Sequence, residues 1–83
     1  MMIYKKKLEE LGYVEVEDKQ RLYQERYEQL SGDFINVIRL DNIIKVVFVE
    51  RFYKHDPLNT MGMMITKELF DVIQTIFNEW RLE

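Results

Sequence analysis

The sequence predicts an α+β fold: a short N-terminal helix, a three- to four-stranded antiparallel meander, and a C-terminal helix packed on one face of the sheet. Three observations carry this. Ile43 to Phe52, IIKVVFVERF, is the most apolar and most β-branched run in the chain, the composition of a central strand. The two-residue link Asp41-Asn42 joins it to a second strand-like run, Phe34 to Leu40, and both link residues tolerate the positive φ of a hairpin turn. Finally, Leu69, Ile73, Ile76, Phe77 and Trp80 recur at helical spacing within Lys67 to Leu82.

Taken in order, Tyr4 to Leu11 is rich in helix formers, with Tyr4, Leu8 and Leu11 on one face and Gly12 placed as a left-handed cap. Such a short helix must pack onto something. Tyr13 to Glu17 alternates Val14 and Val16 with Glu15 and Glu17, which predicts a half-buried strand with the valines inward. Asp18 to Gln20 makes a turn. Arg21 to Leu30 reads either way, because Tyr23, Tyr27 and Leu30 have helical spacing while Tyr23, Glu25 and Tyr27 share a strand face; the flanking strands favour strand. Ser31-Gly32-Asp33 is a loop. In the central run Ile44, Val46, Phe48 and Phe52 share one face, and Ile43, Val47 and Val49 the other, so both faces call for cover. Tyr53 to Met64 reads as a long connection with an edge segment at Met61 to Ile65. Thr66 caps the last helix, Glu68 suits its first turn, and Ile65 and Phe70 are placed as a staple.

Eighty-three residues without a Pro/Ser-rich linker predict one domain over residues 1–83. A chain this short buries only about 60–65% of its unfolded surface, so a partner subunit is a natural source of added stability. There is no cysteine, which excludes disulfides and thiolate metal clusters. Neither a signal-peptide core nor a membrane-length apolar run is present, and the expected location is cytoplasmic. The net charge of −3 is spread evenly: residues 1–42 carry 7 basic and 9 acidic side chains, residues 43–83 carry 5 and 6. That balance disfavours the basic stripe of a nucleic-acid binder.

Catalytic constellations are scarce. One histidine, His55, and one serine, Ser31, in separate loops do not compose a nucleophile and its base. His55 beside Asp56 lacks spaced partners for a metal, and Gly12, Gly32 and Gly62 are isolated, so no phosphate-cradling loop exists. Glu15 and Glu17 read as a solvent face. The expectation is a non-enzyme without cofactor or metal.

The surfaces remain. Ile43, Val47 and Val49 predict a self-associating face, and hence a homodimer. Met61, Met63 and Met64, with Trp80, offer an adaptable protein-contact surface, although core packing under a loop explains methionines as well. The alternative is nucleic-acid binding through Arg51, Tyr53, Lys54 and His55, where aromatic and basic residues interleave.

Leu8 to Tyr13 (LEELGY), the charged hairpins, and the closing Ile65, Thr66, Glu68 and Leu69 of the last helix together resemble small uncharacterised proteins of phages and prophages of low-GC Gram-positive bacteria. Those proteins commonly end in Leu-Gly-Trp, whereas this chain ends Glu79-Trp80-Arg81-Leu82-Glu83 without the glycine. The resemblance implies an accessory role in a mobile element and assigns no site residue.

Overall fold

A computed structural model describes residues 3–17, 24–62 and 65–82, leaving aside the side chains of 57, 59 and 60. The elements run α1 (Ile3–Glu10), β1 (Val14–Val16), β2 (Gln24–Ser31), β3 (Phe34–Asp41), β4 (Val46–Tyr53), β5 (Asp56–Met61) and α2 (Lys67–Arg81). The strands form one antiparallel sheet in the order β1-β2-β3-β4-β5. This is the α+β meander that the sequence predicts, with one strand more.

α1 ends because Gly12 adopts φ +89°. Gly12 N–H donates to Glu9 O at 2.9 Å and Tyr13 N–H to Leu8 O at 3.0 Å, the paired bonds of a Schellman motif. That motif fixes where Tyr13 goes. Its ring enters the core at 5% exposure, so Val14, one residue on, takes the other face at 65%. The inward valines of the sequence reading are corrected accordingly: Val14 faces away from the helices, and Glu15 reaches Lys5 of α1 at 3.8 Å.

Strand, not helix, holds for Gln24–Ser31; the Asp18–Gln20 turn and Arg21 to Tyr23 lie outside the described residues. The β3–β4 link is longer than two residues, since residues 42–45 all belong to the turn and Lys45 takes φ 59°. Asp41 organises it. Its Oδ1 accepts the N–H groups of Ile43 and Ile44 at 3.0 and 3.1 Å, and those bonds hold its carboxyl below the usual range. Ile43 is thereby removed from β4. The expected connection over Tyr53 to Met64 is largely a strand, β5, reached through a bulge at Phe52/Tyr53.

Thr66 Oγ1 accepts Leu69 N–H at 3.2 Å, as a cap should. Ile65 and Phe70 stay exposed, at 53% and 57%. α2 buries Leu69, Val72, Ile76 and Trp80, each stabilising by roughly 1.5–3 kcal/mol; Ile73 packs at the rim and Phe77 is exposed. The two helices run antiparallel on one sheet face, with Lys7 Nζ 3.3 Å from Thr75 Oγ1 and Glu79 Oε1 accepting the Ile3 and Tyr4 N–H groups at 2.6 and 3.3 Å. The core is Tyr4, Leu8, Tyr13, Tyr27, Ile38, Leu40, Leu69, Val72, Ile76 and Trp80.

Candidate functional site

Strand register sorts the sheet into cross-strand rows. On the helix-covered face these are Glu25–Leu40–Val47, Glu15–Tyr27–Ile38–Val49, Gln29–Asn36–Arg51 and Ser31–Phe34–Tyr53. On the opposite face they are Gln24–Asp41–Val46, Val16–Arg26–Arg39–Phe48, Val14–Glu28–Val37–Glu50 and Leu30–Ile35–Phe52. Four places follow from this sorting.

The first is the opposite face, which no described element covers. Leu30 stands 71% exposed on it, while Ile35, Val46, Phe48 and Phe52 are half-buried. Val37 is wholly buried yet separate from the helix-side core, because Glu28 and Glu50 flank it in register. The charges on this face pair internally: Arg26 Nε with Glu28 Oε2 at 2.9 Å, and Arg39 with Glu50. Arg39 also lies over the Phe48 ring at 4.6 Å.

This corrects the predicted self-association residues. Val47 and Val49 point at the helices and pack against the core, and Ile43 sits in a turn, 69% exposed beside Ile44. The reason is parity: with the turn extending to Lys45, the odd positions of β4 share a face with Tyr27 and Ile38. The uncovered residues are the even ones.

The second place is the predicted methionine surface. Met61 is exposed, at 42%, and Met63 and Met64 lie outside the described residues. Trp80 is corrected from surface to core: it is 7% exposed, and its Nε1–H donates to Asn42 Oδ1 at 3.0 Å. A shallow cleft of about 320 Å³ borders it, lined by Lys45, Phe77, Trp80 and Arg81.

Third, of the residues predicted as a basic and aromatic patch, Tyr53 and His55 are in ring contact, and Arg51 lies against Phe34. Tyr53 contacts His55 at 5.4 Å and Phe34 at 5.9 Å between ring centroids, and Arg51 lies 5.1 Å from the Phe34 centroid. Lys54 is exposed in the adjoining turn, where its N–H donates to Asp33 O at 2.7 Å. Phe34, missed from sequence, is the residue that joins Arg51 to the two other rings.

The fourth place went unseen in the sequence. Arg51 Nε donates to Asn36 Oδ1 at 2.7 Å, Asn36 Nδ2 to Gln29 Oε1 at 2.9 Å, and Gln29 Nε2 to Leu11 O at 2.5 Å. This polar row floors a cleft of about 260 Å³ between the end of α1 and the start of α2, walled by Leu11, Tyr13, Thr66 and Leu69. No single segment signals it; three aligned polar positions on consecutive strands would have.

A further polar cluster is enclosed within the fold. Glu25 accepts from Tyr27 at 2.6 Å, from Tyr4 at 2.9 Å and from Asn42 at 2.9 Å, with Lys5 Nζ at 3.6 Å. Burial pushes its carboxyl up, but the hydroxyl and amide bonds and the lysine charge prevail and hold it below the usual range. The same burial and carboxylate drive the Tyr4 and Tyr27 hydroxyls far upward.

Among the described residues no group of three or more acidic, histidine or cysteine side chains is arranged to hold a metal, and no helix is long and apolar enough to cross a membrane. No known protein family matches the chain, and no curated protein or solved structure shows significant similarity to it.

Proposed function

We propose that the chain is a non-enzymatic accessory module acting by protein–protein contact, and that its uncovered sheet face closes on a second copy. One observation carries this reading: both helices lie on one side of the sheet, leaving Leu30, Ile35, Phe48 and Phe52 without cover from any described element. A sheet with apolar residues on both faces gains by covering both. The charges favour a like partner. Arg26, Arg39, Glu28 and Glu50 sum to zero, and Asp41, at the end of the face, is buried and bonded to its own turn, so two copies related by a two-fold axis meet with little repulsion. Strand spacing of about 4.8 Å and a rise of about 3.3 Å per residue give the face roughly 500 Å² per copy. Standard interfaces bury about 800 Å² per partner, so the expected dimer is a modest one that dissociates on dilution.

Light scattering across a concentration series tests it. Mass should rise toward two copies in the parent and stay at one copy in Ile35→Lys; a parent that is monomeric throughout overturns the reading.

The ring ladder Phe34–Tyr53–His55, with Lys54 beside it, favours a second reading, stacking of single-stranded nucleic acid. A gel shift on a short oligonucleotide that Tyr53→Ala with Lys54→Ala leaves unchanged would remove it.

A further inference from the structure

The cleft above Gln29, Asn36 and Arg51 contains two polar groups with bonding capacity that no other described residue takes up. Arg26 and Arg39 each have a carboxylate partner, Glu28 and Glu50. Arg51 has none within ion-pair distance among the described residues; its one hydrogen bond there is from Nε to Asn36. That bond, with the Phe34 ring against the guanidinium, fixes the plane of the fork and leaves both terminal nitrogens uncommitted. The charge is thus held at the cleft with no counter-charge among the described residues and its terminal nitrogens open to a ligand.

The second group is the Tyr13 hydroxyl. Tyr13 is 95% buried, being 5% exposed, and it forms part of the cleft wall. Its backbone and ring are accounted for by the α1 cap and the core. Its hydroxyl makes no hydrogen bond to a described residue and is not itself shut away from solvent, whereas the hydroxyls of Tyr4 and Tyr27 both bond Glu25. A hydroxyl open at the cleft wall is free to donate to a ligand there. Desolvation raises the Tyr13 hydroxyl's pKa and the Arg51 charge works against that rise, so the two groups sense each other across the cleft.

From these observations we infer that the cleft binds a small-molecule oxyanion, a carboxylate or phosphate monoester on a short apolar body, with Arg51 pairing its charge and the Tyr13 hydroxyl donating to it. The guanidinium fork matches two oxygens of such a group. Leu11 and Leu69 supply the apolar wall for the body, and a volume near 260 Å³ suits a ligand of one ring. Gln29 and Asn36 are positioning residues: their amides are taken up by the chain from Leu11 O to Arg51, which aims the fork.

Benzoate and phenyl phosphate are the probes, since they share a ring and differ in the head group. Each is titrated into the ¹⁵N-labelled full chain. Saturable shifts should centre on residues 11–13, 29, 36, 51 and 66–69 at millimolar concentration or below, and the tighter probe identifies the head group as planar or tetrahedral. Tyr13→Phe, which removes a hydroxyl with no partner among the described residues, should weaken binding about 3- to 10-fold. Arg51→Gln should weaken it about 10-fold or more. No saturable shift with either probe, or shifts centred on Lys5 to Lys7, overturns the proposal. So does an unchanged affinity in Tyr13→Phe, which decides the matter even if Arg51→Gln fails to fold. The inference is independent of self-association, because the cleft lies on the helix-covered face.

Discussion

Tyr27 donates its hydroxyl proton to Glu25 across 2.6 Å, within one strand and beneath α1. The pair sets the pH range of the fold. Glu25 titrates below its unfolded value, so its contribution is present above that value and is lost as pH falls through the lowered folded pKa. Tyr4 and Tyr27 titrate above theirs, so their contribution is intact below about pH 10 and declines as pH rises beyond it. Stability measured by denaturant melts should be flat through neutrality and fall on both sides. Glu25→Gln should make the alkaline side shallower, because burial, the larger cause of the raised tyrosine pKa values, stays while the carboxylate's contribution is removed. Tyrosinate absorbance against pH reads this directly.

Asn42 serves two masters, accepting from Trp80 and donating to Glu25 at 2.9 Å. Asn42→Ala strands the indole N–H and takes one donor from the carboxylate. A loss of about 1–3 kcal/mol is expected from chemical denaturation, with a shift in Trp80 fluorescence.

Adjacent positions of β4 should behave oppositely. Val49→Lys places an ammonium against the helix-side core and should cost about 3 kcal/mol or more. Phe48→Lys, on the uncovered face, gives up the Arg39 contact, worth about 0.5–1 kcal/mol, and leaves the core intact. Similar losses for the two would contradict the assignment of faces.

Gly12→Ala should destabilise by about 1–2 kcal/mol through backbone strain alone. A Cβ there would meet only the Gln29 side chain, Nε2 at 3.6 Å and Cγ at 4.0 Å, both ordinary contacts, so the cost arises from φ +89°. Gly12→Asn, which tolerates that region better, should recover part of it in the same thermal melt.

Much of this architecture is written locally. The capping Thr66, the Gly12 stop and the β3 run each act within a few residues, and each is found where its chemistry places it. β5 was hidden because Asp56 and Pro57 are poor strand formers, tolerated here because β5 is an edge. The facing of β4 was hidden for a different reason. Its apolar residues occupy both faces, and the choice between them rests on how many residues the preceding turn consumes, which Asp41 decides through two backbone bonds. The cleft was invisible because Gln29, Asn36 and Arg51 are neighbours by register, not by sequence.

The carboxylate of Glu79 on the first N–H groups of α1 joins residues 76 positions apart. Eight residues cannot hold a helix alone in water, and every strand pairing in this sheet is between sequence neighbours. The hairpins can therefore form as the chain emerges, while α1 must wait for α2, which is synthesised after the whole sheet. Rate measurements should find α1 ordering in the final step of folding, with Glu79→Gln speeding unfolding and leaving the folding rate nearly unchanged.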